Sequence, residues 1–159
     1  DPAAVLDFAD GVDGPVVYKP LAGGGLCRRM TAADFGPERL RLLAHAPVMF
    51  QAEIPGRNIR VYVVAGRVVA SYVILSDELD YRGAERGVLP MALSAEEEAA
   101  SCLAAKACGM TFTGLDLRRR RDASFAVLEC NPSPMFAAIE RRTAAAPVSQ
   151  ALADVLFDG

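Results

Sequence analysis

Two short stretches near the end of the chain concentrate oxygen ligands: Thr113-Gly114-Leu115-Asp116-Leu117 and Val127-Leu128-Glu129-Cys130-Asn131-Pro132. Glu129 and Asn131 are two apart, so on a strand they share one face. Symmetric closure of a hairpin around Asp122 and Ala123 sets Asp116 directly opposite Glu129. Opposed Cβ atoms in such a pair lie about 4.5–5.5 Å apart, and two carboxylates held that close repel unless a proton or cation sits between them. Magnesium binds oxygen at about 2.0–2.1 Å and favours a few carboxylates completed by substrate phosphates. Asn131 adds a neutral carbonyl oxygen, so Asp116, Glu129 and Asn131 suit a magnesium–nucleotide site. The alternative is a hairpin whose acids face solvent independently. Apolar neighbours Leu115, Leu117, Val127 and Leu128 argue that the hairpin is central, where unpaired acids are costly.

A second constellation stands near the start. Lys19 ends a β-branched and aromatic run, Val16-Val17-Tyr18, and is followed by Pro20-Leu21-Ala22-Gly23-Gly24-Gly25. Glycines let peptide N–H groups approach phosphate oxygens, and the ammonium adds a point charge. In a P-loop the lysine follows the glycines and precedes Ser or Thr, so this is a different arrangement. A plain surface loop with a solvated lysine is the competing reading. Arg60 and Tyr62 share a strand face, and a cation there can stabilise charge developing on a transferring phosphoryl group. Arg82 lies in a polar, irregular segment of the kind that carries functional side chains. The single histidine, His45, falls near a helix end and has no identifiable catalytic partner.

These residues need elements to hold them. A brief helix over 2–9, strands over 16–18 and 26–30, a helix over 37–46 and a strand over 48–51 come first. Residues 59–64 and 67–75 read as a hairpin through Ala65-Gly66. Ser76 to Val88 is irregular. Ser94 and Glu97 form the S-x-x-E pattern that opens a helix, which runs to about Cys108 and stops at Gly109. Residues 111–117 and 125–130 form the ligand hairpin, and a helical stretch over 136–157 breaks near Pro147. Short hairpin connections between strands favour an α+β fold with antiparallel sheets.

Composition narrows the partners. The chain has 159 residues and a net charge of −3, with Arg118 to Arg121 as a local basic run. An acidic chain argues against a nucleic-acid partner. Those arginines fall in the turn of the ligand hairpin, where they could attract an anionic peptide. No apolar run approaches the roughly 20 residues of a membrane-spanning helix, so no membrane partner is expected. Four cysteines without metal spacing read as buried free thiols and point to a reducing, cytoplasmic compartment.

Taken in order, K-P-L-A-G-G-G, F-Q-A-E-I-P-G-R-N-I-R-V-Y-V-V, G-L-D-L and L-E-C-N-P-S-P-M-F-A-A-I-E resemble the ATP-grasp superfamily. In particular they resemble the group of ribosomal-protein glutamate ligases and peptide-macrocyclising (graspetide) ligases. The resemblance covers 16–140 and implies an ATP-grasp fold, with two lobes of antiparallel sheet and flanking helices. It implies a partial small lobe over 1–46, a large lobe over 47–159 carrying the metal site, and a missing N-terminal part. It also implies ATP and Mg²⁺ as cofactors and carboxylate and amine substrates, including a peptide or protein. The carboxylate is converted to an acyl phosphate that an amine displaces as an amide.

The resemblance implies a role for each candidate residue. Lys19, with Gly24 in its loop, contacts the phosphates; Gln51, Ala52, Glu53 and Ile54 offer backbone to adenine; Asn58 stands where relatives place an acid on the ribose. Arg82 and Arg60 lie near the phosphates or the acyl phosphate, and Asp116, Glu129 and Asn131 match the magnesium ligands. Ala52 stands where many relatives carry glutamate. The alternative implied by Ala52, Asn58 and the missing part is a non-catalytic nucleotide-binding or regulatory module.

Overall fold

The computed structural model of the chain describes residues 1–21, 27–82 and 84–157. They divide into two compact units, one of 1–54 with 77–84 and one of 55–76 with 85–159.

In the first unit, α1 (Pro2–Gly11) begins at Asp1, whose carboxylate accepts the Ala3 N–H at 3.0 Å. Strands β1 (Val16–Pro20), β2 (Arg28–Arg29) and β3 (Val48–Ala52) form an antiparallel sheet in the order β2-β1-β3. Helix α2 (Pro37–Arg41) is shorter than expected, because Leu42–Ala44 tightens into a 3-10 turn that the His45 N–H closes onto Leu42 O at 2.9 Å. Val48 to Ala52 pair along their whole length with Pro20 to Val16. The division of the chain therefore falls after Ile54 and not at the expected 46/47 boundary. A strand starts at that boundary, and the ladder it joins decides its unit.

The second unit is built on a five-stranded antiparallel sheet, β6-β5-β4-β7-β8. Its strands are β4 (Arg57–Val64), β5 (Arg67–Leu75), β6 (Gly87–Pro90), β7 (Phe112–Arg119) and β8 (Phe125–Asn131). The β4–β5 turn places Ala65 and Gly66 at φ of 48° and 76°, the two positive values of a type I′ turn. Strand β6 overlaps the end of the segment expected to be irregular; among the described residues its ladder is with β5, and Pro90 and Gly87 disguise it. Helix α3 (Ala95–Ala107) has its capping box: the Glu97 N–H donates to Ser94 Oγ at 3.2 Å and the Ser94 N–H to Glu97 Oε2 at 2.9 Å. The C-terminal helical stretch is two helices, α4 (Ala137–Thr143) and α5 (Pro147–Phe157), separated by Ala144 at φ 50°.

Alternation along the strands gives the sheet two chemically different faces. Ile59, Val61, Val63, Leu115 and Leu117 point to one side and pack with Ala105 of α3 into the core. Asn58, Arg60, Tyr62, Gly114 and Asp116 belong to the other side. The first side needs no polar partner; the second is where the chemistry collects.

None of the cysteines is fully buried: Cys108 is exposed, Cys27, Cys102 and Cys130 are half-buried, and none forms a disulfide among the described residues. Among the described residues no helix is long and apolar enough to cross a membrane.

Candidate functional site

The ligand hairpin closes differently from the symmetric form, yet it reaches the same pairing. At its turn Arg120 N–H donates to Ser124 O at 2.8 Å, Ala123 adopts φ 66°, and Arg119 faces Phe125, Arg118 faces Ala126 and Leu117 faces Val127. A bulge then resets the register, so that Asp116 faces Glu129, Leu115 faces Cys130 and Gly114 faces Asn131. One extra residue in β8 is what aims Glu129 and Asn131 at the Asp116 side of the sheet. Bulges beside functional sites commonly re-aim side chains in this way.

Only half of the hairpin is central as expected: β7 lies inside the sheet with Leu115 and Leu117 in the core. Strand β8 is an edge strand, Glu129 is exposed and Asp116 is half-buried. The apolar neighbours serve the α3 side of the sheet, which is why their presence did not imply burial of the acids.

Directly across β7 from Glu129 stands Arg60 of β4, whose Nε lies 3.2 Å from Asp116 Oδ1, with side chains 14% and 17% exposed. Register extends this row through Tyr72 to Pro90, so Pro90, Tyr72, Arg60, Asp116 and Glu129 line up across the five strands. Arg60 thus offsets part of the repulsion that the two carboxylates alone would feel. The next row on this face is Tyr62, Gly114 and Asn131. Asn131 Oδ1 accepts the Ser133 N–H at 2.9 Å, which fixes its amide plane and leaves that oxygen a second lone pair.

This donor set fits magnesium. All its atoms are hard oxygens, and the paired carboxylates favour a cation between them. Among the described residues no group of three His, Cys, Asp or Glu could hold a metal. Two carboxylates and one amide leave the other positions to water and phosphate, as suits an ion that arrives with a nucleotide.

The first unit holds the remaining candidates. Lys19 lies opposite Met49 on β1, and Gln51 and Ala52 lie opposite Val17 and Val16. The Glu53 N–H extends that ladder to Pro15 O at 2.8 Å, while its carboxylate takes a two-pronged bond from Arg29 at 2.6 and 2.7 Å. Ile54 ends this unit. Gly24 lies outside the described residues. Asn58 belongs to the second unit, buried on the Arg60 side of β4 at 7% exposure.

Arg82 is held by Asp80, which accepts from its Nε at 2.8 Å and its backbone N–H at 3.1 Å. Asp80 also accepts the Cys27 N–H at 2.9 Å. Burial alone pushes the Asp80 carboxyl up, but the Arg82 guanidinium and the two backbone N–H groups outweigh it and hold the carboxyl at about 2. Asp80 thereby ties its segment to Cys27, two residues past Gly25. The sequence marks Arg82 as a candidate and not Asp80, although an acid two positions before an arginine is the available signal.

Two further residues shape the Arg60 side of the sheet. The Tyr62 hydroxyl donates to Met135 O at 2.7 Å, and Gly114 has no room for a side chain, since a Cβ would stand 2.5 Å from Pro134 Cβ. The arginine run also divides. Arg119 bonds Glu97 with two nitrogens, and Arg118 donates to Gly56 O at 3.1 Å. Burial raises the Glu97 carboxyl, but Arg119 and the Ser94 N–H lower it further, so it stays ionised at 1% exposure. Arg120 and Arg121 line a surface groove of about 1050 Å³ with Arg57, and the Glu97-paired Arg119 also borders it.

An antiparallel sheet with a capping-box helix on one face and opposed acids on the other, and a smaller unit whose strand carries Lys19, match an ATP-grasp fold. The chain belongs to the RimK-like ATP-grasp family, whose model matches residues 45–156. It is 31% identical over 147 residues to beta-citrylglutamate synthase B of Danio rerio, covering 86% of this chain and 36% of that protein. It is 36% identical over 144 residues to a probable alpha-L-glutamate ligase of Pasteurella multocida, covering 82% and 44%.

Among solved structures, the ATP-grasp ligase PsnB, complexed with a phosphomimetic variant of a minimal precursor, Mg and ADP, matches with a TM-score of 0.87 at 37% identity. The match covers 99% of this chain and 50% of that one. The macrocyclase MdnC of Microcystis aeruginosa, bound with precursor peptide MdnA, matches with a TM-score of 0.84 at 25% identity, covering 100% and 53%. The chain spans about half the length of these structures and less than half of the two relatives.

Proposed function

We propose that this chain is the nucleotide- and magnesium-binding part of an ATP-dependent carboxylate–amine ligase that forms an amide through an acyl phosphate. The observation that carries the reading is the register of Asp116 opposite Glu129, with Asn131 beside them on the same face. A relative named a probable alpha-L-glutamate ligase, and the ligase PsnB solved with Mg and ADP, support it. Asp116, Glu129 and Asn131 hold magnesium. Lys19 and Arg82 bind phosphate, with the glycines including Gly24 offering peptide N–H groups. The backbone of Gln51, Ala52, Glu53 and Ile54 receives adenine, and Asn58 the ribose. Arg60, already placed beside Asp116, steadies charge on the phosphoryl group in transfer. Magnesium-bound ATP supplies the phosphoryl group that activates the carboxylate.

A peptide carrying the carboxylate is the substrate class we favour. The neighbours PsnB and MdnC were solved with precursor peptides. The groove lined by Arg57, Arg119, Arg120 and Arg121 contains one acid, Asp122, in a chain whose net charge is −3. Asp122 offsets one of those charges and Glu97 pairs with Arg119, so Arg57, Arg120 and Arg121 leave the groove net positive.

The test is thermal melting of the chain with ADP, with and without magnesium. Ligand at 100 times its Kd stabilises by about 2.7 kcal/mol. That stabilisation is expected only when magnesium is present and is expected to vanish in Lys19→Ala. A chain whose melting ignores millimolar magnesium and nucleotide together overturns the reading.

A further inference from the structure

The residues that follow Asn131 are held by a side chain two strands away. Tyr62 is fully buried, its ring edge-on to Tyr72 at 6.3 Å and to Phe136 at 6.4 Å. Its hydroxyl donates to Met135 O at 2.7 Å. The Met135 side chain is 87% exposed, so packing of that side chain does not fix the residue. Between Tyr62 and Asn131 the register places Gly114. A Cβ there would stand 2.5 Å from Pro134 Cβ and 3.0 Å from Arg60 Nη1, so the missing side chain is the notch in which Pro134 sits. The same segment returns to Asn131, with Ser133 N–H donating to its Oδ1 at 2.9 Å and Thr113 Oγ1 to its backbone oxygen at 2.9 Å.

We propose that Tyr62 is a positioning residue for the metal site: its hydroxyl holds residues 132–135 over Gly114, and Ser133 in that segment sets the direction of the Asn131 amide oxygen. The inference rests on the reading of Asn131 as a magnesium ligand. An amide rotates broadly about its last torsion, so without the Ser133 bond nothing intrinsic selects the orientation that offers oxygen. Partners that orient a ligand from behind typically change metal affinity 10- to 100-fold when lost. Burial raises the Tyr62 phenol to about 12, so at neutral pH it remains a donor.

Tyr62→Phe keeps the ring and both edge contacts and deletes only the hydroxyl. With ADP saturating, magnesium is titrated against the melting temperature of the full chain. The half-saturating magnesium concentration is expected to rise about tenfold or more, with a far smaller change in the ligand-free melt. Asn131→Ala should raise it at least as much, and the double variant should be no worse than Asn131→Ala, because Tyr62 acts through that residue. If Asn131→Ala raises the requirement and Tyr62→Phe does not, the positioning role is overturned and the ligand set survives. If the two losses multiply in the double variant, Tyr62 acts elsewhere and the inference is again overturned. If neither variant moves the requirement, the ligand set itself fails, and the inference with it.

Discussion

Asp116 and Glu129 face each other yet are electrostatically unequal. Asp116 is half-buried and bonded to Arg60, whereas Glu129 is exposed. Glu129→Gln should therefore change ligand-free stability by less than about 0.5 kcal/mol, as exposed substitutions usually do. Asp116→Asn removes the charge that Arg60 faces and should cost about 1–3 kcal/mol. Both should abolish the magnesium-dependent stabilisation by nucleotide, read as melting temperature with and without Mg-ATP. A Glu129→Gln chain that keeps the full Mg-ATP shift removes Glu129 from the ligand set. The identity of these residues was legible in the sequence, because two acids and an amide on strands of a hairpin are distinctive. Their unequal burial was not, since it depends on which strand is the edge and on an arginine 56 positions earlier in the sequence than Asp116.

The elements show how a repeated residue type divides into separate jobs. Arg119 lies on the α3 side of β7 and neutralises Glu97, which is 1% exposed and also completes the capping box. Arg119→Ala leaves that carboxylate buried and unbalanced, which should cost about 3 kcal/mol. Arg121→Ala, at an exposed turn position, should cost less than about 0.5 kcal/mol. Urea unfolding of the two variants checks the contrast, and equal stabilities would show that Glu97 does not depend on Arg119. The S-x-x-E pattern announced the helix start, because capping is local chemistry within four residues. It did not announce that Glu97 doubles as an ion-pair partner, which requires α3 to lie across β7. The bulge in β8 was equally invisible. Alternation from Val127 onward would have sent Glu129 to the α3 side, and the extra residue reverses that.

Acid should test the molecule as a whole. The Asp80 carboxyl is held at about 2, well below the ordinary carboxylate range, and Asp34, Glu97 and Asp122 are also lowered. For carboxyls lowered in the folded state, the stabilisation is present above the unfolded value and disappears as pH falls through the folded one. The melting temperature should thus drop between about pH 4 and pH 2. Asp80→Asn should be less stable at neutral pH and should show a shallower acid decline. An unchanged decline would mean that the Asp80–Arg82–Cys27 cluster is not maintained in solution.

What the sequence determined by itself was whatever short-range chemistry dictates: the S-x-x-E helix start, the Ala65-Gly66 turn, strand alternation, and the order of the lysine–glycine, N-I-R, G-L-D-L and E-C-N-P motifs. These rest on contacts within a few residues, so one chain suffices to read them. The tertiary structure alone decided that β3 joins β1, that segment 77–84 returns to the first unit, that β8 is an edge, and that Tyr62 reaches Met135. Each of those depends on groups brought together from distant positions, where many pairings satisfy the local pattern and only packing of the whole selects one.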